Sequence, residues 1–422
     1  MTVSPASLDV IAIGNAIVDV MAPATEAEVA RLGLAKGGMT LVDTERAHAL
    51  YAAMGPAREI SGGSAANTLA GLAALGAKCA FIGQVANDQL GEVFAHDIRA
   101  GGIRFATADR FEAPVLLPFD DGAGPFDQIG TISPQVPGMM ENLLGVDASH
   151  MSEDCLFLNV YAPEGAGPHS GLPVLYWVHG GAYVNGSGSS PWYDGTRLAA
   201  RGHVVVTINY RLGVLGFLGD GNWGTLDQIC GLQWVQANIA GFGGDPGNVT
   251  IFGESAGGSA VISLMAAPEA QGLFHKVWAM SPSIRQLRSL QSATDWAEKF
   301  FEAAGVSGID EARGLSVEQL MAAQAAVLAM PSTEYDMFTP AAGGLGLPAD
   351  IVGAAAANPA PLSIGTNRDE NLLFMAFDPR FANADAAAWE AHSALQFGER
   401  AAEARAAYEA ARPGFSHLGL IA

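Results

Sequence analysis

A glycine-rich pentapeptide between an apolar run and a small-residue stretch constrains the fold of this chain more than any other segment. Residues 248–252 are rich in β-branched and aromatic side chains and predict a buried strand, whereas residues 259–267 predict a helix. The segment Gly253-Glu-Ser-Ala-Gly257 between them predicts a sharp turn, because side chains at 253 and 257 would collide with both elements. Such a turn presents Ser255 beside a helix N-terminus, where developing negative charge is favoured. We expect Glu254 to point away from Ser255.

The pentapeptide is weak evidence by itself in a chain with 52 glycines, so the rest of the sequence has to supply a context. Residues 172–178 predict a buried parallel strand, which runs into the loop His179-Gly-Gly-Ala-Tyr183. Small residues in such a loop leave backbone N–H groups free to face an oxyanion, although a Gly-Gly pair alone is also typical of an ordinary turn. We expect Gly181 and Ala182 to be two oxyanion donors, with Ala256 as the third.

A third segment could supply an acidic partner for a catalytic imidazole. Residues 361–370 read as a short strand that ends in a polar loop, with Asp369 and Glu370 at its end. A carboxylate in this loop could orient an imidazole and balance its charge. Spacing alone does not separate Asp369 from Glu370.

Residues from about 109 to 412 resemble the type-B carboxylesterases, the family that includes para-nitrobenzyl esterases and cholinesterases. Seven segments follow one another in the order typical of that family: 152–159, 177–183, 209–213, 221–228, 242–246, 253–257 and 365–370. The resemblance implies an α/β-hydrolase fold, which the alternation of predicted strands and helices also favours. It further implies hydrolysis of a neutral carboxylic ester, with Ser255 as nucleophile, Glu370 as the acid of the triad, and no cofactor or metal.

The expected triad lacks an obvious histidine. On this fold the order along the chain is serine, acid, histidine, and only His392 and His417 follow Glu370. His392 lies in an alanine-rich helical stretch, His417 lies close to the end, and neither has the His-Gly-x-Glu-like surroundings that the resemblance implies. His179 precedes the serine. We therefore expect impaired activity, unless His417 or a partner chain supplies the general base.

The first ~107 residues differ in character from the remainder. Residues 8–15 and 79–85 predict strands, and residues 60–67 open a helix, which together resemble the start of a ribokinase-family (PfkB-type) kinase, closest to adenosine or sugar kinases. The resemblance implies contacts to sugar hydroxyls by Asp19, Gly62, Gly63 and Asn67. The late Gly-Ala-Gly-Asp motif of that family does not occur, so phosphoryl transfer is not expected.

We therefore expect two partial domains: a kinase-like segment at 1–107 and an α/β-hydrolase domain, truncated at both ends, at 108–422. The simplest account of such a chain is a chimera joined near residues 106–109. Two further functions remain open beside the esterase: a non-catalytic binding protein with a hydrolase fold, and a remnant of a sugar or nucleoside kinase.

Charge and composition exclude several kinds of partner. A formal net charge of −22 disfavours nucleic acids and anionic membrane surfaces, while neutral esters are unaffected. The sequence has no apolar run of membrane-spanning length and no basic region followed by an apolar segment at its start, so we expect a cytoplasmic protein. The abundance of alanine suggests a bacterial genome rich in G and C. The oligomeric state is left open. Asp154, Arg211 and Asp227 are expected to form buried ion pairs.

Overall fold

The computed structural model describes residues 10–13, 17–21, 58–62, 79–82, 99–119, 129–136, 138, 145–284, 287–330, 337–368, 370 and 384–421. Its strands are β1 (Val10–Ile13), β2 (Ile17–Met21), β3 (Arg58–Gly62), β4 (Cys79–Ile82), β5 (Arg99–Arg104), β6 (Ala106–Thr107), β7 (Val115–Leu116), β8 (Phe157–Tyr161), β9 (Leu172–Val178), β10 (Val204–Ile208), β11 (Gly244–Glu254), β12 (Lys276–Met280), β13 (Arg288–Ser289), β14 (Ala341–Ala342) and β15 (Leu362–Gly365).

The α-helices of the described residues are α1 (Thr196–Ala199), α2 (Gly213–Phe217), α3 (Trp223–Asn238), α4 (Ala256–Ala266), α5 (Leu290–Ala304), α6 (Ile309–Ala312), α7 (Val317–Leu328), α8 (Ile351–Ala357), α9 (Ala386–Phe397), α10 (Ala401–Ala411) and α11 (His417–Ile421). Short 3₁₀ turns occur at Pro191–Tyr193, Ile239–Phe242, Pro268–Ala270 and Gly398–Arg400. No helix in this part of the chain is both long and apolar enough to cross a membrane.

A seven-stranded mixed sheet organises the molecule, with the strand order β15-β12-β11-β9-β10-β8-β5. Strand β8 is antiparallel to both β5 and β10, and the other pairs are parallel. The carboxyl ends of parallel strands meet at one edge of a sheet, which is where ligands bind in open α/β sheets. The loop after β9, the turn after β11 and the loop after β15 therefore share one edge, as the expected α/β fold requires.

The sheet begins ahead of the expected domain boundary at 107/108. Strand β5 pairs with β8 at the sheet edge, with Arg99 opposite Tyr161 and Arg104 opposite Phe157. Strands β1 and β4 pair in parallel, and β2 and β3 pair antiparallel, as two separate ribbons. The division into a kinase-like and a hydrolase-like domain remains a prediction.

Apolar side chains fill the space between the sheet and helices α3 and α4. All five residues of β10 are buried, as its β-branched sequence Val-Val-Val-Thr-Ile predicts for a central parallel strand, and every residue of α4 is buried. Trp234 of α3 and Tyr176 of β9 are fully enclosed, and the Tyr176 hydroxyl donates to the Gln228 carbonyl at 2.7 Å. This core holds the strand ends that carry the predicted site.

An ion pair inside the core holds the segment 109–112 against the large sheet. The Arg211 guanidinium donates to both oxygens of Asp227, at 2.8 and 2.7 Å, and both side chains are buried. Arg211 also donates to the carbonyls of Glu112 and Asp109, at 2.8 and 3.3 Å. The expected pairing of Arg211 with Asp227 is thus present. Asp154 was expected to be buried and is not: it pairs with Arg104 at the surface, where both side chains are close to half exposed.

His179 joins the end of β9 to the end of β10. Its ring stacks on Tyr210 at a centroid distance of 4.5 Å, and the Tyr210 hydroxyl donates to the His179 carbonyl at 2.9 Å. Nδ1 lies 2.8 Å from the Gly180 carbonyl, which can only accept, so Nδ1 carries the proton. Burial lowers the pKa of His179 to about 4, despite the opposing effect of this hydrogen bond. The neutral ring therefore supports the start of the loop that follows β9.

We predict that Asp227→Asn lowers the free energy of unfolding by about 3–5 kcal/mol, because it leaves the Arg211 charge buried without a counter-charge. The matched control is Asp154→Asn, which breaks an exposed pair and is expected to cost less than about 1 kcal/mol. Urea unfolding of the three chains measures both values. Equal losses in the two variants would contradict the role given to the buried pair.

We also predict that His179 makes the fold sensitive to acid. The unfolded chain takes up a proton at His179 near the ordinary value of 6.5, whereas the folded chain does so only near pH 4. Stability from this residue is thus fully present above pH 6.5 and is lost as the pH falls toward 4, by about 3 kcal/mol in total. His179→Asn keeps a donor for the Gly180 carbonyl but does not titrate. Urea unfolding at several pH values should show that this variant loses less unfolding free energy at acid pH than the parent chain. Equal losses in the two chains would show that His179 is not the source of the acid sensitivity.

Candidate active site

Ser255 lies on a strained turn between β11 and α4. Its backbone has φ +58° and ψ −122°, in the left-handed region that a residue with a side chain rarely adopts, and its N–H donates to the Met280 carbonyl at 3.0 Å. A Cβ placed on Gly257 would lie 2.9 Å from the carbonyl carbon of His179. A Cβ on Gly253 would lie 2.7 Å from the Val178 oxygen, so both glycines are needed for the close approach of strand, turn and helix. The expected strand–turn–helix geometry is therefore present.

The loop after β9 lies directly against Ser255. A Cβ placed on Gly180 would be 3.2 Å from the Cβ of Ser255. The next three residues all have positive φ, +113° at Gly181, +53° at Ala182 and +63° at Tyr183. Positive φ is sterically unfavourable for residues with side chains, so this loop has a sharply bent backbone that its neighbours must hold in place. Within the described residues, the N–H groups of Gly181 and Ala182 donate to no backbone or side-chain acceptor, so the loop can present them to a bound oxyanion.

Other hydrogen bonds hold this loop in shape. The Gly181 carbonyl accepts from the N–H groups of Val184 and Asn185, at 3.0 and 2.9 Å, which closes a tight turn. The Tyr183 carbonyl accepts from Gly213 at 2.7 Å, and the fully buried Tyr183 ring packs edge-on against Phe217 at 5.1 Å. The ring is thus part of the core, and these contacts fix its backbone in the left-handed region.

Ala256 is the first residue of α4, so its N–H has no acceptor within the helix. The partial positive charge of the helix N-terminus adds to the attraction for an anion at this point. Ala256 and the loop that contains Gly181 and Ala182 thus both adjoin Ser255, and the role of these three residues as oxyanion donors remains a prediction.

Glu370 follows β15 and lies at the same edge of the sheet. Its carboxylate accepts from the backbone N–H of Asn367 at 2.7 Å and from Nδ2 of Asn367 at 3.3 Å. Partial burial opposes ionisation, but hydrogen bonds from Ser281 and Asn367 lower the pKa of Glu370. Glu370 is therefore ionised at neutral pH. Asp369, the other acidic residue considered for this role, lies outside the described residues.

Asn367 and Ser281 are polar neighbours of Glu370 that the sequence analysis did not identify. Asn367 Nδ2 also contacts Ser281 Oγ at 3.3 Å, and Ser281 directly follows β12. Asn367 lies in the segment 365–370, which is one of the segments that carry the resemblance. Its position three residues before Glu370 is the feature of the sequence from which this contact could have been predicted. Nothing in the sequence marks Ser281, since the contact depends on the pairing of β12 with β15.

The side chain of Glu254 points toward the site, so the expectation that it points away from Ser255 was wrong. Its Oε2 lies 3.4 Å from a Cβ placed on Gly180, the same position that the Cβ of Ser255 approaches. The left-handed backbone of Ser255 breaks the alternation of a strand, and consecutive side chains then face one side. Desolvation and the negative charge of Glu370 together raise the pKa of Glu254, although the residue keeps an exposed surface. The carboxylate of Glu254, next to the serine, therefore interacts with a second carboxylate, that of Glu370.

The histidines do not complete a triad in the described structure. His417 is exposed at the first position of α11, and His392 stacks on Trp389 within α9 at a centroid distance of 6.4 Å. His179 is buried at the start of the loop that follows β9, and its Nδ1 lies within hydrogen-bond distance of the Gly180 carbonyl. The contacts described above for these histidines do not include the Glu370 carboxylate or the Ser255 hydroxyl.

Two of the four residues expected to contact sugar hydroxyls fall on described strands. Asp19 pairs with Ile60, and Gly62 with Ile17, in the antiparallel ribbon of β2 and β3. Gly63 and Asn67 lie outside the described residues. The kinase-like role of these four residues remains a prediction.

Comparison with known protein families gives a match over most of the residues that form the large sheet. A model of the carboxylesterase family matches residues 101–412. This match gives no support to the kinase-like segment that precedes it, and neither do the relatives below.

Curated relatives and solved structures agree with that family. The para-nitrobenzyl esterase of Bacillus subtilis is 42% identical over 265 residues, which cover 59% of this chain and 53% of the relative. The human cocaine esterase is 43% identical over 237 residues, covering 52% and 41%. The chain thus spans about half the length of these relatives.

Among solved structures, the carboxylesterase of Geobacillus stearothermophilus superimposes with a TM-score of 0.67 at 35% identity, covering 76% of this chain and 68% of that one. A thermophilic para-nitrobenzyl esterase gives a TM-score of 0.62 at 35% identity, with coverage of 73% and 67%. Both structures are similar to this chain in sequence as well as in fold, in agreement with the family match. The chain belongs to the carboxylesterase family.

Proposed function

We propose that this chain hydrolyses small neutral carboxylic esters through Ser255, by way of an acyl-enzyme. The observation that supports this most directly is the contact between the turn and the loop, where a Cβ placed on Gly180 would lie 3.2 Å from the Cβ of Ser255. In the proposed site, the serine hydroxyl lies beside the N–H groups of Gly181, Ala182 and Ala256. A hydroxyl next to converging amide donors suits acyl transfer.

In the proposed reaction, the Ser255 oxygen attacks the ester carbonyl carbon, and its proton passes to a base. The tetrahedral oxyanion accepts hydrogen bonds from Gly181, Ala182 and Ala256, each worth on the order of 3 kcal/mol in the transition state. The C–O bond to the alcohol then breaks, and the alcohol leaves with a proton. Water attacks the acyl-serine, releases the carboxylic acid and restores the hydroxyl. The proposal assigns no cofactor or metal.

Glu370 is proposed as the carboxylate that orients a protonated imidazole. Because no histidine is bonded to Glu370 among the described residues, we propose that proton transfer from Ser255 is slow. The same observation favours a second candidate function, a hydrolase-fold protein that binds esters without turnover. The cytoplasmic location expected from the sequence, like the kinase-like reading of the first segment, remains a prediction.

We predict that p-nitrophenyl acetate is hydrolysed slowly but measurably by the chain, and that Ser255→Ala reduces this rate to the background of the buffer. The matched control is Ser263→Ala, on the same helix α4, where the hydroxyl donates to the Ser259 carbonyl inside the core. This control should keep the rate within about twofold. Equal rates in the parent chain and Ser255→Ala, both folded, would favour the binding function instead.

We further predict that added imidazole accelerates hydrolysis in proportion to its concentration, because it can accept the serine proton while Glu370 stabilises its charge. The rate of Ser255→Ala in the presence of imidazole gives the background that does not depend on the serine. Glu370→Gln should lose most of the acceleration that imidazole produces in the parent chain. Without imidazole the rate should rise steadily from pH 6 to 9, since His179, with a pKa of about 4, does not titrate there. A plateau above pH 7 would instead indicate a histidine base, and His417→Ala would then identify it.

A further inference from the structure

A buried glutamine from an earlier part of the chain bonds to the loop that follows β9. Gln135 is only 3% exposed, and its side-chain amide bonds to backbone groups. Its Nε2 donates to the carbonyls of Gly186 and Ser133, at 2.9 and 3.1 Å, and its Oε1 accepts from the N–H of Gly186 at 2.7 Å. The amide thus pairs with both polar backbone groups of Gly186.

This pairing satisfies a buried backbone that is not part of a strand or helix. Gly186 is buried and has a φ of +111°, so its N–H and C=O need partners inside the protein. A carboxamide carries the same donor and acceptor as a peptide group. Gln135 therefore takes the place that a neighbouring strand would have. Its orientation is fixed, because the N–H of Gly186 can only donate and the carbonyl can only accept.

Gly186 packs directly on the residues that open the loop. A Cβ placed on Gly186 would lie 2.6 Å from the Gly180 carbonyl oxygen and 2.5 Å from Nδ1 of His179, so no side chain fits there. Gly180 is the residue that approaches the Cβ of Ser255. The position of Gly186 therefore bears on the distance between the loop and the serine.

The neighbouring residue Asn185 connects the same region to Gly181. The N–H of Asn185 donates to the Gly181 carbonyl at 2.9 Å, and a Cβ placed on Gly181 would collide with the Asn185 carbonyl. Nδ2 of Asn185 donates in turn to the Val136 carbonyl at 2.7 Å. Asn185 and Gly186 are thus bonded to two consecutive residues of the earlier segment, Val136 and Gln135.

The earlier segment is itself held against the end of β10. Nδ2 of Asn209 donates to the Thr131 carbonyl, and the N–H of Leu212 donates to the Ser133 hydroxyl, both at 3.1 Å. Asn209 directly follows β10. Gln135 is therefore held in place by contacts with the large sheet, independently of the loop to which it bonds.

We propose that Gln135 is a positioning residue, whose bonds to Gly186 hold the loop that follows β9 at the place where Gly181 and Ala182 can donate to the oxyanion formed at Ser255. The inference rests on the proposed function. Gly181 and Ala182 have positive φ, and such a backbone persists only when surrounding contacts hold it. Gln135 acts through the backbone of the loop, since a displacement of about 1 Å at a reacting group can cost about 100-fold in rate.

The test compares two glutamine-to-methionine substitutions in the full chain. Gln135→Met keeps the length of the side chain and removes both polar groups. The matched control is Gln236→Met in α3, where Nε2 donates to the carbonyls of Pro246 and Leu273, at 2.9 and 3.0 Å. Pro246 lies near the start of β11, whereas Ser255 follows its end. Urea unfolding measures the stability of both variants.

Hydrogen–deuterium exchange followed by mass spectrometry measures the loop itself, without any turnover. The peptide that covers residues 179–186 should exchange faster in Gln135→Met than in the parent chain or in Gln236→Met. In p-nitrophenyl acetate hydrolysis, Gln135→Met should lower kcat by at least about tenfold and leave KM within about threefold, because oxyanion bonds strengthen only in the transition state. Gln236→Met should keep both constants within about twofold.

Gln135→Glu provides a second variant, which keeps the test informative if Gln135→Met does not fold. A protonated carboxyl group can still donate to the Gly186 carbonyl and accept from its N–H, whereas an ionised one can only accept. Burial raises the pKa of such a carboxyl group. The rate of Gln135→Glu relative to the parent chain should therefore be highest at low pH and fall as the pH rises. A ratio that does not change with pH would contradict the proposal.

Other results would also overturn the proposal. Unchanged exchange of residues 179–186 in Gln135→Met would show that the loop does not depend on Gln135, and faster exchange with an unchanged kcat would show that catalysis does not. Equal losses of kcat in the two methionine variants would assign the effect to stability alone. Failure of the proposed function gives a different pattern: loop exchange that depends on Gln135, with hydrolysis that Ser255→Ala leaves unchanged.

Discussion

The left-handed backbone of Ser255 is the constraint on which the rest of the site depends. A φ of +58° at a residue with a side chain costs on the order of 1–3 kcal/mol and persists only when neighbouring contacts fix it. Here the contacts are backbone approaches that leave no room for side chains at Gly253 and Gly257. The same turn brings both Ser255 and Glu254 close to Gly180, in the loop that follows β9. One backbone conformation thus sets the position of the proposed nucleophile and the charge around it.

The buried interactions behind the site hold the strand ends that carry it. The ion pair between Arg211 and Asp227 connects the end of β10 to helix α3. Arg211 also donates to the backbone carbonyl of Glu112, which lies earlier in the chain. His179 stays neutral because it is buried, and its stacking on Tyr210 joins the ends of β9 and β10. Because the loop with the proposed oxyanion donors begins at Gly180, its geometry depends on this contact. These buried polar side chains therefore affect the candidate site indirectly, because they hold the backbone that carries it.

Much of this arrangement could be predicted from the sequence, because the short motifs carry strong local constraints. The β-branched run of β10, the glycines around Ser255 and the loop after β9 each permit few conformations, and the fold follows from their order. The orientation of Glu254 could not be predicted, since it depends on the φ of the next residue. The contact of Ser281 with Asn367 depends on strand pairing. Strand β5 was missed because its sequence, Arg-Ala-Gly-Gly-Ile-Arg, has two glycines and little β propensity, so only pairing with β8 defines it.

We propose that the Ser255 hydroxyl is a nucleophile beside oxyanion donors, and its reaction with a fluorophosphonate tests this proposal directly. Such a reagent forms a phosphonyl-serine that carries an oxygen in the position of the oxyanion, and the reaction does not require deacylation. Intact-protein mass spectrometry followed by peptide mapping measures the extent and place of the reaction. The account predicts a single adduct on the peptide that contains Ser255, and none in Ser255→Ala. An unmodified folded chain, or an adduct that Ser255→Ala retains, would contradict it.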